Sequence, residues 1–301
     1  MTLPVFPSAI RGLTWPVLKT SEFNTLVQDA PNKMDTRIAQ TYNPFWHWEL
    51  IFDVLFDNPA QLTSGLSCTD YRTLQGFILS LQGSFADFLL DDPSDDYVGP
   101  ALIAGAPNTA AELQLVNDGA GNYYSPVQRN FGGQFYEGVT DLNGAITVYA
   151  NGALQTNGTN YSVIGPGFAL PGRSYMGLGL QWASPAAWAA GHAYALNAVI
   201  MDPAGHLQKV TTAGTSGATI PTFNDAGGTT NDNTVIWTDQ GYNPGPAGPI
   251  TAQFNFYFRC RFEEDTQDFE QFLPQMWTIG GSESKNGAGY IKLCSSRPAQ
   301  V

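Results

Sequence analysis

The residues best able to do chemistry are scattered. His47, His192 and His206 are the three histidines of the 301-residue chain, and they lie in separate segments with no H-E-x-x-H run or other metal-ligand spacing. Acid–base catalysis needs a base and an orienting group in one pocket, and nothing in the spacing brings these imidazoles together. His47 alternates with tryptophans in Phe45-Trp-His-Trp48, so a hydrogen-bonded structural histidine is expected there. No G-x-S-x-G nucleophile elbow occurs. Gly214-Thr-Ser-Gly217 is glycine-rich but lacks the lysine of a phosphate loop. Cys68, Cys260 and Cys294 are odd in number and have no C-x-x-C spacing, which argues against a disulfide framework or a zinc site. A glycosidase can draw its two carboxylates from anywhere in a chain, so spacing alone does not exclude one.

The densest group of oxygen ligands is the stretch 85–96, with Asp87, Asp91, Asp92, Asp95 and Asp96. Carboxylates suit calcium, but an EF-hand loop needs Gly at its sixth position and Glu at its twelfth, and neither falls in place. A solvated turn closing a β-hairpin is the favoured reading, with calcium the alternative. No catalytic group, metal site or cofactor is assigned.

The elements that must position these residues are mostly strands. Aromatics make up 13% of the chain and charged residues only 13%, with 32 Gly and 20 Pro, which favours turn-rich β structure. The net charge of −13 disfavours nucleic acid as a ligand, although it suits a wall past which DNA slides. No run of about eighteen apolar residues exists to span a membrane. The start, Met1-Thr-Leu-Pro-Val-Phe-Pro7, has no signal-peptide pattern, so synthesis in the cytoplasm is expected.

Alternation predicts a strand over 45–56 with Trp46, Trp48, Leu50, Phe52, Val54 and Phe56 on one face. A second predicted strand places Phe254, Phe256, Phe258, Cys260 and Phe262 on one face, with Cys260 a buried apolar residue. One helix is predicted over 67–82, opened by a Ser67/Asp70 capping box and stopped at Gly83. Its stripe is Leu74, Phe77, Ile78 and Leu81, extended by Phe85, and Gly76 suggests close packing on a sheet. Asn151-Gly152 is a tight-turn signal between the β segments 145–150 and 161–164.

Short β runs alternate with Gly, Asn, Asp and Pro from Trp188 to Gly241. The order Trp188, Tyr194, Gly205-His-Leu-Gln-Lys-Val-Thr-Thr-Ala-Gly-Thr-Ser-Gly217, Pro221-Thr-Phe223 and Thr234-Val-Ile-Trp237 resembles small carbohydrate-binding-like modules of bacteriophage tail proteins. A module of about sixty residues buries a modest core and depends on its few aromatics. Trp188, Tyr194, Phe223 and Trp237 are therefore candidates both for that mini-core and for stacking on a host glycan. The expected division is an inserted module over 183–242, entered after Trp182-Ala-Ser-Pro185 and left through a Pro/Gly-rich linker, within a body formed by 1–182 and 243–301.

With the module set aside, the flanks present Phe85-Ala-Asp-Phe-Leu-Leu-Asp-Asp-Pro-Ser-Asp95, Ile146-Thr-Val-Tyr-Ala-Asn-Gly152 followed by Asn160-Tyr-Ser-Val163, and Phe254-Asn-Phe-Tyr-Phe-Arg-Cys-Arg-Phe-Glu-Glu-Asp265. In this order they resemble the distal tail protein family of siphophages and gene transfer agents. The closing motif is similar to that family's F-x-F-x-V-P-V-R-F-x-x-D, departing from it where V-P-V becomes Phe258-Arg-Cys260. The resemblance implies a mainly β fold: a tail-tube-like β-sandwich or split barrel with one packed α-helix, plus the small inserted all-β module. It also implies a non-enzymatic virion protein at the tail tip that forms a cyclic ring, six-fold or alternatively three-fold. Its implied partners are the tail tube protein, the baseplate hub protein and a host surface glycan, with DNA passing through the lumen unbound and no membrane insertion. A glycan-binding tail protein and a tail-associated hydrolase are the alternatives.

Overall fold

The structure is a computed structural model that describes residues 3–8, 10, 12–29, 35–41, 43–58, 68–92, 94–99, 111–119, 121–131, 134–165, 169–170, 173–174, 177–280 and 289–296. The fold is mainly β, 52% strand and 5% helix, built of antiparallel sheets with one helix; among the described residues no sheet closes into a barrel. The chain forms two compact units, residues 1–96 with 257–297 and residues 97–256 with 298–301. The expected module lies wholly inside the second.

In the first unit, Leu13–Glu22, Phe45–Phe52, Tyr290–Ser295, residues 257–262 of the long strand Ile250–Phe262, and Phe88–Leu90 form consecutive antiparallel neighbours. Along the long strand Ile250, Ala252, Phe254, Phe256, Phe258, Cys260 and Phe262 are all buried, so the predicted alternation holds from end to end. Cys260 and Cys294 are free, buried thiols on neighbouring strands, and burial pushes both above the usual thiol range.

The strand predicted over 45–56 breaks. Phe45–Phe52 belongs to the first sheet, the Asp53 amide donates to the Gly12 carbonyl at 3.0 Å, and Leu55–Asn58 joins a second sheet with Met276–Ile279, Phe269–Leu273 and Cys68–Thr69. Parity resets at this crossing, so Leu55 is fully buried while Val54 and Phe56 are only half-buried.

The helix is shorter than predicted, Asp70–Ser80, and its N-cap is Thr69 with no side-chain capping bond. The proposed cap Ser67 lies outside the described residues. Leu74, Ile78 and Leu81 are buried, and Phe77 makes edge contacts with Phe6, Phe88 and Phe262 at 5.6, 5.3 and 6.4 Å. Two expectations fail here. Gly76 faces open space rather than a packed neighbour, and Phe85 is 81% exposed because the chain has already left the helix by then. The stop at Gly83 holds: its φ is +68°, and its amide returns to the Ile78 carbonyl at 3.3 Å.

Among the described residues Thr25–Asp29 and Asp35–Ala39 pair only with each other, as an antiparallel ribbon. It leaves Leu26, Val27 and Ile38 41%, 52% and 50% exposed.

In the second unit, Ala153–Gln155, Thr147–Ala150 and residues 250–256 form one sheet, with Ala111–Leu113 and Tyr97–Val98 along the far edge of the long strand. Asn151-Gly152 turns Thr147–Ala150 into Ala153–Gln155 and not into Tyr161–Ile164, which joins Gly179–Trp182, Tyr123–Pro126 and Val116–Asn117 in another sheet. The hairpin Gln128–Phe131/Phe135–Gly138 carries a buried Arg129–Glu137 ion pair. Val199–Met201, His206–Thr212, Val235–Tyr242 and Thr229–Asp232 make the four-stranded sheet of the inserted stretch, and Ala193–Tyr194 pairs with Gly214–Thr215 beside it.

Candidate functional site

The four candidate aromatics converge on one core. Tyr194 and Trp237 are buried with Ile200, Val210 and Val235, and half-buried Trp188 and Phe223 pack against them. Tyr194 and Phe223 meet Trp237 edge-on, at 4.7 Å and 72° and at 6.1 Å and 78°. Trp237 has no exposed surface and Tyr194 is 9% exposed, so neither presents a face to a ligand, whereas Trp188 and Phe223 are half-buried.

Three buried aspartates hold the loops around this core. The Asp232 carboxylate accepts both indole N–H groups, from Trp188 at 2.7 Å and Trp237 at 3.2 Å, on one oxygen, and the Gly217 amide at 2.7 Å on the other. Asp202 accepts the amides of Ala204 and His206 and the side chain of Gln208. Asp239 accepts the amides of Gly227 and Gly241 and the His206 ring. Burial pushes Asp239 up, but the bonds from Gly227, Gly241 and His206 outweigh it and hold the carboxyl below the usual range. Of these, Asp202-Pro-Ala-Gly205 carried a turn signal in the sequence. The Asp232 bond to Trp188 spans 44 positions and left no local trace. The glycine-rich stretch has a packing role as well, because a Cβ on Gly214 would stand 2.3 Å from the Thr234 carbonyl oxygen.

The structure does not bring the histidines into one site. His47 Nδ1 lies 2.5 Å from Glu263 Oε1, and its Nε2 lies 3.0 Å from Glu22 Oε2 but off the line of a hydrogen bond. His206 pairs with Asp239 at 3.0 Å and meets the Tyr242 ring edge-on, and His192 rests against Tyr194.

The aspartate-rich stretch finds its cation within the chain. Lys19 Nζ lies 2.9 Å from Asp92 and 2.7 Å from Asp95, with the rings of Phe258, Trp46 and Trp48 at 4.3, 4.9 and 5.5 Å. Asp92 is 5% exposed and also accepts the Trp48 indole and both the amide and hydroxyl of Ser94. Burial raises its pKa, yet the bonds from Ser94, Lys19 and Trp48 bring it below the usual carboxylate value. Among the described residues no group of three or more His, Cys, Asp or Glu is arranged to hold a metal ion.

No protein-family model matches the chain, and no curated protein matches it.

Proposed function

We propose that this chain is a structural protein of a phage-like tail, forming a cyclic ring at the distal end of the tail tube and joining the tube to the baseplate hub. The motif order in the flanks supports the reading, and the observation that carries it is the ribbon Thr25–Asp29/Asp35–Ala39. A two-stranded ribbon is marginal in water by itself. This one nevertheless keeps Leu26, Val27 and Ile38 exposed, with Phe23 beside it at 53%. Such a surface suits the repeated heterologous contact of a closed ring, six-fold or three-fold. The lumen is neutral to acidic in this proposal, so DNA phosphates pass without sticking.

The reading assigns no catalysis. Asp202, Asp232 and Asp239 spend their oxygens on loop amides and side chains, which favours architecture over acid–base work. The inserted stretch decorates the outside of the ring and is dispensable for it. Electron microscopy of the purified chain, and of the same chain with 186–241 replaced by a short Gly/Ser linker, tests both points. Rings are expected from each. A strictly monomeric parent at high concentration would overturn the assembly, and a parent ring lost on deletion would overturn the accessory role.

A further inference from the structure

The second unit holds a polar cleft of about 280 Å³ where the chain enters and leaves the inserted stretch. Its aromatic lining is half-buried Tyr123, in the strand Tyr123–Pro126; Trp182, in the neighbouring strand Gly179–Trp182, borders it but is only 5% exposed. Gln155, at the end of Ala153–Gln155, and Thr159 and Asn160, in the turn that follows, also line it, and residues 183–185 with Asn243, Gly245 and Pro246 complete it. Among these lining residues none carries a formal charge, in a chain with 13 Lys and Arg and 26 Asp and Glu.

The frame is tied down. Tyr123 Oη donates to the Asn243 carbonyl at 2.6 Å, and Asn243 Nδ2 donates to the Gly121 carbonyl at 2.9 Å. Ser184 Oγ donates to Asn122 Oδ1 at 3.2 Å. Gly245, at φ +71°, lies so close that a Cβ there would stand 2.8 Å from the Tyr123 ring. The Trp182 indole is fixed by Ser125 Oγ at 2.9 Å. A wall held this way loses little freedom when a ligand arrives.

Some of the lining groups remain free. Asn160 Oδ1 accepts the Thr156 amide, while Asn160 Nδ2 and Thr159 Oγ have no protein partner among the described residues. Gln155 donates to the Ala153 carbonyl, which leaves its oxygen as an acceptor. Hydrogen-bonding amides and hydroxyls, an aromatic lining, no charge, and a volume near the small end of ligand clefts, about 300–1,000 Å³, together define the ligand's chemistry. It is uncharged, rich in hydroxyls, and partly apolar on one face.

We propose that this cleft binds one uncharged sugar residue. The Tyr123 ring meets the C–H face of the pyranose, and Asn160, Thr159 and Gln155 bond its hydroxyls. The site is distinct from the core formed by Trp188, Tyr194, Phe223 and Trp237, and it does not depend on ring assembly.

Saturation-transfer NMR on the full chain tests it, with glucose, galactose and N-acetylglucosamine as neutral probes and glucuronic acid and N-acetylneuraminic acid as charged ones. Transfer to at least one neutral sugar and to neither acid is expected. Ala183→Trp and Thr159→Trp, at two separate positions in the lining, should each weaken binding about ten-fold or more, with unchanged melting temperature. Transfer to no neutral sugar, equal transfer to the acids, or full binding by whichever of the two variants folds would overturn the site. Binding lost in Trp188→Ala but kept in both cleft variants would overturn it too, moving recognition to the module core. Micrographs of the same samples report ring formation separately, so either idea can fail alone.

Discussion

The inserted stretch and the ribbon Thr25–Asp29/Asp35–Ala39 use similar apolar residues to opposite ends. In the former, Val210, Val235 and Trp237 are fully buried under loops that Asp202, Asp232 and Asp239 draw inward. In the latter, Leu26 sits opposite Ile38 in the ladder, yet both stay exposed. The difference lies less in composition than in whether buried carboxylates gather loops over the aromatic cluster. A small β sheet buries its own apolar side chains when polar groups fasten its loops over them; the described residues of the ribbon keep theirs exposed.

The sharpest way to break this contrast is Trp237→Ala. Removing a fully buried indole should cost about 3–5 kcal/mol and unfold the local sheet, read as loss of amide-exchange protection over 193–242. Protection equal to that of the parent would mean the cluster is not what holds the stretch together. Asp232→Ala comes next. It strands two indole donors and the Gly217 amide, for a loss of about 2–3 kcal/mol in urea melts. Asp232→Asn, which keeps one acceptor oxygen, should lose less.

Acid should weaken the chain through its paired carboxylates. Asp92 has a depressed folded pKa, so its contribution is present above the unfolded value of about 3.9 and is lost as pH falls through the lower folded value. Asp92→Asn should therefore destabilise the chain at neutral pH and flatten the stability profile below about pH 4. An unchanged acid limb would show that the Lys19 pairing adds nothing.

The smallest effect on stability belongs to the ribbon. Leu26→Glu and Ile38→Glu should each change monomer stability by no more than about 0.5 kcal/mol, since both sites are exposed. Sedimentation should nevertheless show loss of assembly. Unaltered oligomers would remove the ribbon from the interface.

Much of this organisation was legible where a strand stays in one sheet. The alternation over 254–262 survives because that strand stays within continuous β ladders. The same signal over 45–56 misled, since periodicity does not register a change of sheet and the parity resets between Phe52 and Leu55. The module aromatics were legible as a cluster, but whether they face inward depended on Asp232, a partner remote in sequence. The cleft left no signal at all. Tyr123, Asn160 and Asn243 come from three distant segments, and only the path of the chain brings them together.

The two sheltered thiols give the first unit an internal clock. Cys260 has no exposed surface, and burial keeps its sulfur in the unreactive protonated form. An alkylating reagent can therefore reach it only during excursions that part the strands around it. The labelling rate then measures how often that sheet breathes, in a chain where neither cysteine takes part in a disulfide.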